Sequence, residues 1–236
     1  NIIMSDYLLK NNEFLLLFDY LKKTDSSLLF PQIIIDEVLI NYKNQIKEVI
    51  NNLNKANKKL LGILPDYKII ESNINEEEII KNYFKYLKDK LNLKDNNILS
   101  ADNNFLSEIT QRAIEKKKPF KENGDGFKDT LIWIIIRDYC KKTEEKQITF
   151  ISKNYLDFGN KDDDYLNEIL LKECEEIGIK INYYKSINDF IKVYCEKIID
   201  IFDVDWLSEN LDDNWLIDAI IEYLSEDINM IDEISN

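Results

Sequence analysis

Four acids in this sequence could do chemistry together: Glu37, Asp125, Asp129 and Asp157. Two of them fall within GDGFKDTLIW, residues 124–133. There a chain with only five glycines sets two of them around Asp125, then runs from Asp129 into apolar sequence. Taken alone, this is a loop and a helix start, with Asp125 or Asp129 accepting backbone N–H bonds in the first turn. Each of the others also has an ordinary reading. Glu37 could be an early-helix acid favoured by the helix dipole. Aspartate between glycines is common turn chemistry, and Asn154 and Asp157 suit helix caps. The chemical reading requires these groups to converge. Carboxylates crowded at one place repel each other unless a cation lies among them, and hard ions such as Mg²⁺ or Mn²⁺ take oxygen ligands while keeping several waters. Such a site suits metal-assisted hydrolysis of phosphodiesters. Lys116, Lys117, Lys118 and Lys121 form a basic cluster that either is a solvated helix end or grips a nucleic-acid backbone. Lys128 and Lys153 flank the acids and could neutralise phosphate, or simply keep the surface soluble.

Composition narrows the chemistry. The 236 residues contain no histidine, which excludes Ser-His-Asp and Cys-His catalysis and His-ligated zinc. Cys140, Cys174 and Cys195 are an odd, widely spaced set in apolar surroundings, read as reduced core thiols of a cytoplasmic protein. No apolar run is long enough to span a membrane. The formal net charge of −14 is unevenly spread. Twelve acids and no Lys or Arg fall between Asp200 and the C-terminus, so residues 1–199 hold 33 acids against 31 bases.

The elements that must position these residues can be read from periodicity. A first helix is expected from YLLKNNEFLLLFDYLKK, ending near Lys23, and a short buried strand from SLLFP. A long helix should run from about Ile34 to Gly62. NEEEIIKNYFKYLKDKLN and ILSADNNFLSEITQRAIEKKK read as two further helices, and another begins at Asp129. QITFIS and IKINYY are buried-strand candidates, separated by the amphipathic helix DYLNEILLKECEEIG. SINDFIKVYCEKI opens with a Ser-x-x-Asp capping pattern. Strands alternating with helices imply an α/β fold with a parallel sheet covered on both faces, whose chemistry lies at the carboxyl ends of the strands. Glu37 and Asp157 follow strands, and Asp129 opens a helix. WLIDAIIEYLSEDINMI carries an apolar helical stripe with acids elsewhere. It is either an extra packing helix or an element that docks a partner or covers basic surface.

Four segments together resemble the PIN-domain nucleases, in particular a bacterial PIN-like subgroup with a helical insertion before the third acid. NIIMSD is similar to the end of the family's first-strand motif, with Asn1 as its Asn. FPQIIIDEVLINY resembles the second-acid segment, with Glu37. KKKPFKENGDGFKDTLIW resembles the third-acid segment, with Asp129, and ITFISKNYLDF the fourth, with Asn154 where many relatives carry Asp and Asp157 following. The resemblance implies a three-layer sandwich around a central parallel sheet over residues 1–199, with a helical insertion at about 66–118. An acidic helical tail over 200–236 would follow. It places the first family Asp two positions before Asn1, on a first strand missing from this sequence. Implied function is a ribonuclease, endonucleolytic and dependent on Mg²⁺ or Mn²⁺, acting in a toxin–antitoxin, stress or phage-defence setting. Glu37, Asp129 and Asp157, with Asp125 as a further ligand, would hold the ion, and Asn154 would position water or a ligand. RNA is the expected substrate. A protein partner or inhibitor acting through the tail, and self-association, are left open. The alternative is a catalytically inactive PIN-like module that binds RNA or protein.

Overall fold

The computed structural model describes residues 2–70, 75–121, 123–143, 145–160 and 165–193. The chain divides into two compact units, Asn1–Phe190 and Ile191–Asn236. The expectations for Asn1, for Cys195 and for the acidic tail at 200–236 lie outside the described residues.

The first unit is built mainly of helices. After a 3-10 turn at Ile3–Ser5, α1 runs over Asn12–Lys23 and starts later than its apolar periodicity suggests. The cause is Asp6, whose carboxylate accepts N–H bonds from Leu8, Lys10 and Asn11 and so holds these residues in a loop. Asn11 then caps α1 by accepting from the Phe14 N–H. Strand β1 is only Phe30–Pro31, and α2 follows directly over Gln32–Leu61. Helix α3 covers Glu76–Lys90, with three glutamates in its first turn and lysines in its last, matching the helix dipole. Then come β2 at Ile98–Leu99, α4 at Phe105–Glu115 and α5 at Phe127–Thr143. Strand β3 (Gln147–Ile151), the short α6 (Tyr155–Phe158), α7 (Glu168–Glu176) and β4 (Lys180–Tyr184) complete the series. Helical backbone resumes at 187–193, where the Ser186 hydroxyl accepts from the Asp189 N–H and donates to the Asp189 carboxylate, as the capping pattern predicts. Among the described residues no helix is long and apolar enough to cross a membrane.

The strands pair in parallel, as the α/β reading requires, but as two separate pairs, β1 with β2 and β3 with β4. The three-layer sandwich around a single central sheet is therefore not what the described residues display. β2 is also a difference from the sequence reading, which runs ILS into a helix. Two residues are too few to show a period of their own, and the pairing of Ile98 and Leu99 with Phe30 and Pro31 makes the strand. The stretch expected as a helical insertion thus contributes a strand to a sheet.

Helix α5 is the centre of the unit. Ile132, Trp133, Ile136 and Cys140 pack with Phe158, Leu166, Leu170, Cys174, Ile181 and Tyr183, while Ile134 turns to Ile109 of α4 and to Phe120. A helix buried on several sides cannot shift without disturbing every layer, so whatever its first turn carries is held in place.

Candidate active site

The loop before α5 brings Asp129 to its position. Lys121 N–H donates to the Asp125 carbonyl at 2.8 Å and Gly124 N–H to the Lys121 carbonyl at 3.0 Å, closing the turn. Thr130 N–H donates to the Gly126 carbonyl at 2.9 Å, which starts the helix. Gly126 has φ +115°, and a Cβ there would lie 2.5 Å from the Pro119 carbonyl oxygen. Only glycine can hold this close crossing of the loop's two ends. Asp125 is exposed and shares two hydrogen bonds with Asn123, the geometry of a turn residue.

Asp129 is half-buried in the first turn of α5, and its carboxylate takes a hydrogen bond from the Asn154 side chain. Burial pushes its carboxyl above the ordinary value and the negative charge of Asp157 adds to this, against the Asn154 bond and the charges of Lys128 and Lys121. Asn154 begins α6 with its backbone, which leaves its side chain for Asp129. Asp157 lies in α6 with no exposed surface. Lys121 Nζ stands 2.9 Å from its Oδ2, while Oδ1 has no hydrogen-bond partner among the described residues. The Lys121 ammonium is held charged first by Asp157, with Asp129 and Asp125 adding to the effect. Glu37, in the second turn of α2, meets Lys128 Nζ at 2.5 Å. Glu37, Asp129, Asn154 and Asp157 thus come from three helices into one neighbourhood, with two lysines among them.

This neighbourhood suits a hard cation in its donor set, which is all oxygen, and in Asp157 Oδ1, a buried anionic oxygen without a hydrogen bond. Buried charge of this kind is costly unless a positive charge balances it. The lysines supply that balance here, and among the described residues no three acids are drawn close enough together to hold an ion.

The basic residues divide. Lys118 Nζ bonds the Leu156 carbonyl at 2.5 Å, beside Asp157, so Lys118 and Lys121 both face the acids. Lys117 turns instead to Glu173, at 2.8 Å. Lys116 ends α4 in a left-handed conformation with φ 52°, and Lys153 is exposed on the turn after β3.

Glu173 is the group that sequence reasoning missed. On the buried side of α7, it accepts from Arg112, from Arg137 at 3.0 Å and from the Trp133 indole N–H at 2.8 Å. Arg112 and Arg137 also share Glu108. A signal did exist, because the chain has only two arginines among its 31 basic residues and both are here. The guanidinium fork suits a buried carboxylate better than an ammonium does.

A family model described as PIN domain matches residues 1–158. No curated protein and no solved structure matches the chain.

Proposed function

Because this chain belongs to the PIN-domain family, whose members are generally nucleases, we propose that it is a divalent-metal-dependent ribonuclease that cuts RNA endonucleolytically at its acidic cluster. The observation that carries this reading is the convergence of Glu37, Asp129, Asn154 and Asp157 around the ammonium groups of Lys121 and Lys128. Asp129, Asp157 and Glu37 would hold Mg²⁺ or Mn²⁺. When bound, such an ion supplies a polarised water for attack at phosphorus and positive charge against the developing oxyanion. Asn154, whose side chain favours the charged Asp129 carboxylate, would help to orient it. Lys121 and Lys128 balance carboxylates here, and they would turn to the phosphate if an ion took over that task.

The substitution Asp129→Asn tests the proposal. It preserves shape and removes a half-buried charge whose neighbour Asp157 opposes it, so the melting temperature should stay at or slightly above the parent's. Cleavage of a labelled RNA in Mg²⁺ or Mn²⁺ should disappear. A variant that cuts at the parent's rate would return Asp129 to a helix-start acid. If the parent itself binds RNA without cutting it in either metal, the inactive binding module is the better reading, and the lysines are then permanent partners of the acids.

A further inference from the structure

Two large aromatic side chains stand exposed beside the acidic cluster, and the proposed reaction gives them no task. Phe127 is 53% exposed at the start of α5, two residues before Asp129. Tyr155 is 36% exposed at the start of α6, between Asn154 and Asp157. Because the Asn154 side chain bonds Asp129, the two aromatics flank one junction, each carried by an element that also carries a candidate ligand. Cations lie among them. Lys128 follows Phe127 and reaches Glu37, Lys118 and Lys121 reach the backbone and side chain of α6, and Lys185 Nζ sits 5.8 Å from the centre of the Tyr155 ring.

Single exposed apolar side chains are ordinary on a protein surface, and what sets Phe127 and Tyr155 apart is their place beside the acids and among ammonium groups. Aromatic faces interleaved with ammonium groups match a single nucleic-acid strand, whose bases offer flat faces and whose phosphates offer charge. A duplex keeps its bases stacked on each other and offers phosphates and 2′-hydroxyls but no free base faces. We propose that Phe127 and Tyr155 are base-stacking residues that hold the nucleotides on either side of the scissile phosphate, so that the site takes unpaired RNA. This rests on the nuclease reading above for its location, but it concerns binding alone and is tested without cleavage.

The test is fluorescence anisotropy with a labelled single-stranded RNA in EDTA, where Lys121 and Lys128 balance the carboxylates. It compares the parent with Phe127→Ala, Tyr155→Ala and Tyr155→Phe. Phe127→Ala should keep the parent's melting temperature, since its ring is mostly exposed, while Tyr155→Ala loses the Lys185 contact and should melt slightly lower; each should bind the strand roughly 5- to 100-fold more weakly. Tyr155→Phe should bind like the parent. The parent should also prefer the strand to an abasic strand of equal length and to a blunt duplex, and this preference should shrink in the alanine variants. Equal affinity of parent and alanine variants, equal affinity for intact and abasic strands, or no binding of the strand by the parent would overturn the proposal. Weakened binding in a protein that cuts nothing in Mg²⁺ or Mn²⁺ sinks the nuclease reading and leaves the stacking residues standing. Normal cutting with unchanged variant affinities does the reverse.

Discussion

Glu173 is where the buried charge of the unit converges. Burial alone would push its carboxyl up, but hydrogen bonds from Lys117, Trp133 and Arg112 and the charge of Arg112 outweigh it and hold the group at about 2, against an ordinary 4.5. A carboxyl lowered on folding contributes stability that is complete above its unfolded value and is lost as pH falls through its folded one. Glu173 should therefore support the fold fully above pH 4.5 and progressively less toward pH 2. Glu173→Gln keeps the volume and removes the charge, leaving Arg112 and Arg137 buried with less to balance them. The expected cost at pH 7 is roughly 3–5 kcal/mol. Urea melts at pH 7, 4.5 and 3 should show the parent losing stability across the last interval and the variant losing less. If both fall equally, the acid-sensitive group is elsewhere. At this scale the sequence was legible where a side chain's task depends on its neighbours in the chain. Asp129 at a helix start and Asp125 between glycines could be read there. The pairing of Glu173 with Arg112, 61 residues away, could not.

The loop over 118–126 and helix α5 work as one element, because the loop's crossing sets where the helix begins. Gly126→Ala meets both a positive φ and a Cβ placed 2.5 Å from a backbone oxygen, which has no rotamer with which to yield. We expect a loss of roughly 1–3 kcal/mol, with Asp129 displaced from Asn154 and weaker metal binding as a consequence. Gly124→Ala has a positive φ of 88° but open space around it, so it should cost less and leave the site in place. Thermal melts and a Mn²⁺ titration of both variants separate strain from displacement, and equal effects would mean that the crossing sets nothing. Elements were legible in proportion to their length. Apolar periodicity located α2, α3 and α5, whereas β2, two residues long, exists only through β1. The start of α1 was misplaced because Asp6 takes the N–H groups that periodicity assigns to the helix.

Across the whole molecule, charge is divided more sharply than mass. Residues 1–199 are nearly balanced, and the 12 acids beyond them meet no base in their own stretch. This division was legible from composition alone. The pairing of Ile98 and Leu99 with Phe30 and Pro31 was not, because it joins segments far apart in the chain. A polyanion approaching the lysines around Asp157 also experiences the field of that acidic stretch, wherever it lies within a screening length. A chain ending at residue 199 should therefore bind single-stranded RNA several-fold more tightly than the full chain at low salt. The gap should close as salt rises, since the screening length falls from about 10 Å at 0.1 M to about 3 Å at 1 M. Anisotropy titrations of both chains across that range, with melts to confirm that the shorter one is folded, measure the effect. A gap that survives 1 M salt would mean that the stretch acts by contact, through its apolar stripe. Equal affinities at every salt concentration would mean that its charge never reaches the site.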